Sequence, residues 1–224
     1  MGLRAEMKGN RSQYCAVLAD VIRSRRVSEP RALQSALESA AAGLGTTRGD
    51  ELAAEATITS GDEVQILLHS PESAFDVMLE LVNAMHPVEL RFGVGRGELQ
   101  TPLRPTTGSL SGPVFYAARE ALERARRQGW AAVFDGFGER SETLTVLADC
   151  ALSIVGGWTP AQRESARAYL ERGTQEAAAK ALGLHRTTVT RNLERGLVRQ
   201  VIRCRDHLRR LLSETIGAPD AGSE

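Results

Sequence analysis

Short apolar runs alternate with stretches of helical apolar spacing along the first part of the chain. Tyr14–Asp20 (YCAVLAD) is a compact apolar run ending in a carboxylate and predicts a buried strand. From Pro30 to about Leu44 the apolar residues recur at helical spacing, with Ser28 placed as a cap and Pro30 in the first turn. Ala56–Ser60 and Val64–His69 read as two strands joined at Gly61-Asp62-Glu63, a β-hairpin. A helix from about Pro71 to Met85 follows, then a glycine-interrupted strand, Glu89–Leu99. A Pro/Gly/Thr-rich loop spans roughly Gln100 to Gly112. Val114–Gln128 is an amphipathic helix and Trp130–Phe134 a further short strand. The order β-α-β-β-α-β-loop-α-β predicts an α/β or α+β sandwich, a ferredoxin-like sheet with covering helices. Gly93, Gly95 and Gly97 alternate inside a strand without a phosphate-binding fingerprint, so close backbone approach or strand curvature is their reading.

Beyond the sheet the period is helical throughout. Ser141–Val155 predicts a connecting helix, and Gly156-Gly157 marks a boundary. Thr159-Pro-Ala-Gln162 is a capping box with proline at the first helical position, opening a helix that stops at Gly173. Thr174 caps an alanine-rich second helix, Gly183-Leu184 makes a turn, and a third helix starts near His185. This predicts an all-α helix-turn-helix domain, in which small Ala177 and Ala178 let helices cross closely while Leu184, Val189 and Leu193 supply the core. The segment TQEAAAKALGLHRTTVTRNLERG resembles the promoter-reading region of sigma factors and response regulators. The divisions are therefore a flexible 1–13, an α/β domain 14–140, a connector 141–157, a DNA-binding domain 158–216 and a disordered tail 217–224.

Charge strengthens that division. The formal net charge is zero, but Trp158–Leu212 carries 12 Lys or Arg against 5 Asp or Glu, a net of +7, leaving −7 elsewhere. A basic module attached to an acidic domain suits double-stranded DNA as partner. The N-terminal part of the third helix should enter the major groove. Thr174, His185, Arg186, Thr187, Thr188, Thr190, Arg191 and Arg195 are the candidate contacts, since Arg can bond guanine bidentately and Thr can touch a base edge or phosphate. The plainer alternative is a helical hairpin with solvated arginines. Leu197, Val201, Cys204, Leu208 and Leu211, spaced 4, 3, 4 and 3, form a heptad seam. That seam fits either a homodimer contact or packing on the chain's own first helix of this domain.

Cys15, Cys150 and Cys204 form no CxxC or CxxxH pattern, which predicts free thiols in a cytoplasmic protein and neither zinc nor disulfides. The polar N-terminus lacks a signal-peptide core, and no window approaches a membrane span. Two acidic clusters remain, Asp20 at the end of the first strand and Asp62-Glu63 in the hairpin turn. If the strands are neighbours, these carboxylates converge at one edge, a pattern that could hold Mg²⁺ with a nucleotide. Nearby Arg23, Arg25 and Arg26 could meet the phosphates. Equally, Asp at strand ends and Gly-Asp in turns are common without any ligand.

The blocks ADVIRSR, GDEVQILL, RFGVGRGELQT and GPVFYAAREAL, in this order over roughly Tyr14–Phe134, resemble the SatD family. They also resemble the catalytic domain of class III nucleotide cyclases and, more distantly, GGDEF domains. The cyclase resemblance implies that Asp20 and Asp62 bind the metal ions holding a nucleoside triphosphate, and that Arg119 stabilises the transition state. Phe115, however, stands where those enzymes have an Asn four residues before the Arg; a phenyl ring cannot donate a hydrogen bond, which speaks against cyclisation. The sequence thus implies a transcriptional regulator whose first domain senses a nucleotide or metal or dimerises. The alternative is a nucleotidyl cyclase or related Mg-dependent enzyme with a DNA-binding tail.

Overall fold

The computed structural model describes residues 13–24, 29–59 and 61–214. Among these, five strands form one sheet in the order β2-β3-β1-β4-β5. They are β1 (Gln13–Val21), β2 (Leu52–Thr59), β3 (Glu63–Leu68), β4 (Leu90–Glu98) and β5 (Ala132–Asp135). The central β1 pairs antiparallel with β3 and β4, and β4 pairs parallel with β5 across a helical crossover. The interleaved helices are α1 (Pro30–Arg48), α2 (Ala74–Met85) and α3 (Pro113–Gln128), followed by α4 (Arg140–Gly156). The predicted element order agrees with this.

Because side chains alternate across a strand, β1 divides its residues between two cores. Cys15, Val17, Ala19 and Val21 join α1, α2 and α4 on one face. Ala16 and Leu18 meet α3 on the other, and Asp20, next in that alternation, falls on the α3 side. Gly93, Gly95 and Gly97 permit α3 to lie directly on β4. A Cβ at Gly93 or Gly95 would come within 2.2 Å of the backbone of Ala118.

Two boundaries and one cap differ from the expectation. β2 begins at Leu52, four residues before the sequence pattern starts, because register shifts between Leu52 and Ala54 and between Ala54 and Thr57 break the alternation. The helix expected to end near Leu44 continues to Arg48. Leu44 is buried, and Arg48 bridges Glu51 at 3.0 Å and Glu80 of α2 at 2.8 Å; these contacts override the low helix propensity of Gly43 and Gly45. The expected cap Ser28 lies outside the described residues; Glu29 is the N-cap, without a side-chain hydrogen bond.

The segment read as a connector is part of the core. In α4, Leu144, Ala148, Ala151 and Leu152 are buried in the main cluster. Its Thr145 Oγ1 accepts from Phe134 N at 2.9 Å, and its Asp149 Oδ1 from Ala131 N at 2.6 Å. These bonds satisfy backbone donors on and beside the edge strand β5, which would otherwise be left for a foreign strand.

Four helices complete the chain: α5 (Pro160–Arg172), α6 (Gln175–Leu182), α7 (Arg186–Arg195) and α8 (Val198–Glu214). The last two do not form one continuous helix, because Gly196 and Leu197 interrupt them, with Leu197 exposed at a left-handed φ of 50°. α8 then returns to the sheet domain. Leu208 and Leu212 are fully buried in the main cluster, Cys204 and Leu211 pack against it, and Val201 packs under α7. Arg209 adds a 2.6 Å ion pair to buried Asp76 of α2. The heptad seam offered as a dimer contact is therefore packed within the chain at Val201, Cys204, Leu208 and Leu211, while Leu197 stays exposed. The seam's partners are α4 and α2, neither of which the alternative of packing on the domain's own first helix had named. The cysteines are free thiols. Among the described residues no single helix is long and apolar enough to cross a membrane.

Candidate functional site

Two regions contain the predicted functional residues. The first is the sheet end where β1 stops and β3 starts. Asp20 and Glu63 are direct cross-strand partners, 7% and 4% exposed. Like charges placed opposite one another repel, and α3 supplies the compensation. Arg119 and Arg126 are two turns apart on that helix, so both reach the same sheet face. Arg119 grips Glu63 with both terminal nitrogens, Nη2 donating to Oε1 at 2.6 Å. Arg126 grips Asp20, Nη2 to Oδ1 at 2.8 Å and Nε to Oδ2 at 3.2 Å. Thr59 Oγ1 donates a further bond to Glu63 at 3.0 Å. Hydrogen bonding to Glu63 and to Asp20 raises the pKa values of Arg119 and Arg126 respectively, so both arginines are held as cations.

The third acid, Asp62, lies half-buried in the hairpin turn, where Oδ2 accepts from Ser24 Oγ at 2.6 Å. Arg23 is exposed at a left-handed φ of 61°. Arg25 and Arg26 lie outside the described residues. Phe115 is 8% exposed and packs with Ala16, Leu18, Leu110 and Leu122, an apolar plug with no donor for a phosphate or ribose.

Mg²⁺ is usually held by one or two carboxylates together with phosphate oxygens and water. Here all four oxygens of Asp20 and Glu63 accept from arginine, and among the described residues no three His, Cys, Asp or Glu side chains form a metal-holding group. As paired here, Asp20 and Glu63 offer Mg²⁺ no unpartnered oxygen. The arrangement fits a neutralised corner that clamps α3 onto the sheet. Arg126 as the partner of Asp20 was missed in the sequence; its only signal was the seven-residue spacing from Arg119. The long loop before α3 was also silent. Thr107 is buried there, donating to Gln65 O at 2.9 Å and accepting from Gln65 Nε2 at its carbonyl at 3.1 Å, which ties the loop across β3.

The second region is α5–α7. Thr159 and Gln162 make both bonds of the capping box. Thr174 caps α6 by accepting from Ala177 N at 3.1 Å. Gly183, at φ 64°, makes the left-handed turn, and His185 caps α7 with Nδ1 accepting from Thr187 N. Ala178, Ala179, Val189 and Leu193 are buried beneath, while Leu184, expected in this core, is exposed. Of the candidate contacts, Thr174, His185, Arg186, Thr187, Thr188, Arg191 and Arg195 are exposed. Thr187, Arg191 and Arg195 recur every four residues and share one face of α7. Thr190 is different. Its hydroxyl lies 2.8 Å from Gln175 Oε1 and 3.0 Å from the Arg186 carbonyl, so it holds α7 to α6. Asn192 Nδ2 donates to Ser165 Oγ at 3.0 Å and Trp158 Nε1 to Gly196 O at 2.6 Å, fixing α7 against α5.

A five-stranded sheet with helices on both faces and a helical segment returning to its core defines a mixed α/β protein. Similar solved structures include two of a bacterial light-regulated adenylyl cyclase. One is 16% identical with a TM-score of 0.41, covering 55% of this chain and 42% of that chain. The other is 14% identical with a TM-score of 0.43, covering 55% and 75%. This chain thus spans less than half of the first. The regulator of polyketide synthase expression from Bifidobacterium adolescentis is 16% identical, covering 88% and 85%, with a TM-score of 0.21. No curated protein matches the chain significantly. The chain belongs to the SatD family, whose model matches residues 14–212. That match runs through α8, well past the Phe134 limit of the resemblance, so the helical segment lies inside the family's extent.

Proposed function

We propose that this protein is a DNA-binding regulator that uses α6 and α7 as a helix-turn-helix and lays the exposed face of α7 in the major groove. The observation that carries the reading is that face itself. Arg186, Thr187, Thr188, Arg191 and Arg195 stand out from an alanine-rich core, behind a glycine turn, in a segment with a net charge of +7. Arg186 is 3.8 Å from Glu176, both well exposed; such a surface pair is weak and yields readily to a phosphate or guanine. Thr174, His185 and Thr190 support the contact surface through capping and helix–helix bonds. The sheet domain holds the module through α8, and its buried acids Asp20 and Glu63 are both taken up by arginine, so the reading places no catalysis there.

The test is selection of duplexes from a randomised pool by the full-length protein. The reading predicts enrichment of a short motif that Arg186→Ala or Arg191→Ala degrades at particular positions, by roughly 1–3 kcal/mol for a base-reading arginine. Recovery that is uniform in sequence would leave only charge attraction to any duplex and would contradict it.

A further inference from the structure

Arg163, near the start of α5, stands where the helical segment meets the sheet domain. Its Nη1 donates to Asn83 Oδ1 of α2 at 3.1 Å, and its Nη2 to the Val155 carbonyl at the end of α4 at 2.8 Å. A guanidinium has five N–H donors in a fixed fork, so these two bonds leave three. One of the three, on Nε, is buried and has no acceptor. Among the described residues no carboxylate lies within ion-pair distance of Arg163, unlike Arg48, Arg119, Arg126 and Arg209. Burial without an acid lowers its pKa. A buried donor left empty in a folded protein calls for an explanation, a missing ion or ligand among them.

The surroundings supply space. Arg163 and His86 line two clefts, one of about 390 Å³ and one of about 560 Å³. The smaller is walled by the apolar side chains of Val82, Leu90, Trp130 and Leu152, and its one carboxylate, Glu89, is exposed at the rim. Such a volume is at the lower end for small-molecule sites, which pair apolar walls with a few polar groups. The larger cleft carries Glu164 and Glu171 and is less suited to an anion.

We infer that the smaller cleft binds a small organic oxyanion, a carboxylate or phosphate monoester on an apolar body, with its oxygens on the Arg163 guanidinium. An oxyanion matches the planar donor fork, and the apolar body replaces water against Trp130 and Leu152. Because Arg163 links α5 to α2 and α4, occupancy bears directly on how the helical segment is held. The inference does not require the DNA-binding reading, since its readout involves no DNA.

The two tryptophans of the chain, Trp130 and Trp158, line the smaller and larger clefts respectively, so intrinsic emission reports both. Full-length protein is titrated with 4-phenylbutyrate, phenyl phosphate and, as a cation of the same body, 4-phenylbutylamine. A saturable change with at least one anion and none with the amine is expected, and which anion saturates distinguishes carboxylate from phosphate. Arg163→Gln should weaken binding at least about tenfold, and Arg163→Lys, which keeps charge but not the fork, should fall between. Exposed Arg172→Gln should bind as wild type. Thermal unfolding of each variant verifies that it is folded. No saturation with either anion, equal response to the amine, or wild-type binding by folded Arg163→Gln or Arg163→Lys would overturn the inference.

Discussion

Asp20 and Glu63 face each other across β1 and β3 in near-complete burial, so their stability depends on the arginines that α3 brings to them. Removing the cation leaves a buried charge, whereas neutralising the acid does not. Arg119→Ala should therefore cost roughly 2–4 kcal/mol, less than a fully buried pair because Arg119 is half-exposed. Glu63→Gln should cost about 1–2 kcal/mol. Urea unfolding midpoints of the two variants check the order; equal losses would mean that the pair is only a surface contact. The acids themselves were legible, one ending a strand and one in a hairpin turn, although Glu63 in fact opens β3. Their partners were not, since Asp20 and Arg126 are 106 residues apart and nothing local announces the pairing. Cys15 gives a second residue-scale prediction. Complete burial pushes its thiol up from the usual value near 9 to about 12. The native state keeps the thiol neutral, so the associated stability is full below about pH 9 and declines as pH rises from 9 towards 12. Iodoacetamide labelling of native protein should modify exposed Cys150 first, Cys204 more slowly and Cys15 only on unfolding.

At the scale of elements, α3 on β4 is the closest packing in the sheet domain, and glycine is what permits it. Gly95→Ala would place its Cβ 2.2 Å from the Ala118 nitrogen and 2.4 Å from the Val114 carbonyl, both backbone atoms. α3 must lift, at about 1–3 kcal/mol or more. Gly45→Ala, with open space around it inside α1, should instead stabilise by about 0.5–1 kcal/mol. Thermal melts that moved both variants in the same direction would contradict this account of the packing. The glycine alternation could be interpreted from the sequence because it repeats with the period of a strand. The first half of β2 could not, because bulges destroyed that period, and the end of α1 depends on Arg48 reaching Glu80 of another helix.

At the scale of the whole molecule, α8 packs back onto the sheet core across the division at Gly156-Gly157, so the chain is expected to unfold as one cooperative unit. The apolar spacing of α8 was plain in the sequence, but a 4-3-4-3 repeat is the same whether it meets a second chain or the chain's own α4 and α2. Leu208, fully buried in the main core, should cost about 2–5 kcal/mol when cut to Ala. Calorimetry should show one transition shifting as a unit. A separate low-temperature transition with the sheet domain unmoved would restore an independent helical domain.

That α7 reads DNA is tested most directly by fluorescence anisotropy of the full-length protein on a selected duplex and a scrambled one across a salt series. The account predicts tighter binding to the selected duplex at every salt concentration. Arg186→Ala or Arg191→Ala should remove that preference where the residue reads a base, or lower the salt slope by about one where it meets only phosphate. Equal binding to both duplexes, or wild-type behaviour in both variants, would contradict it.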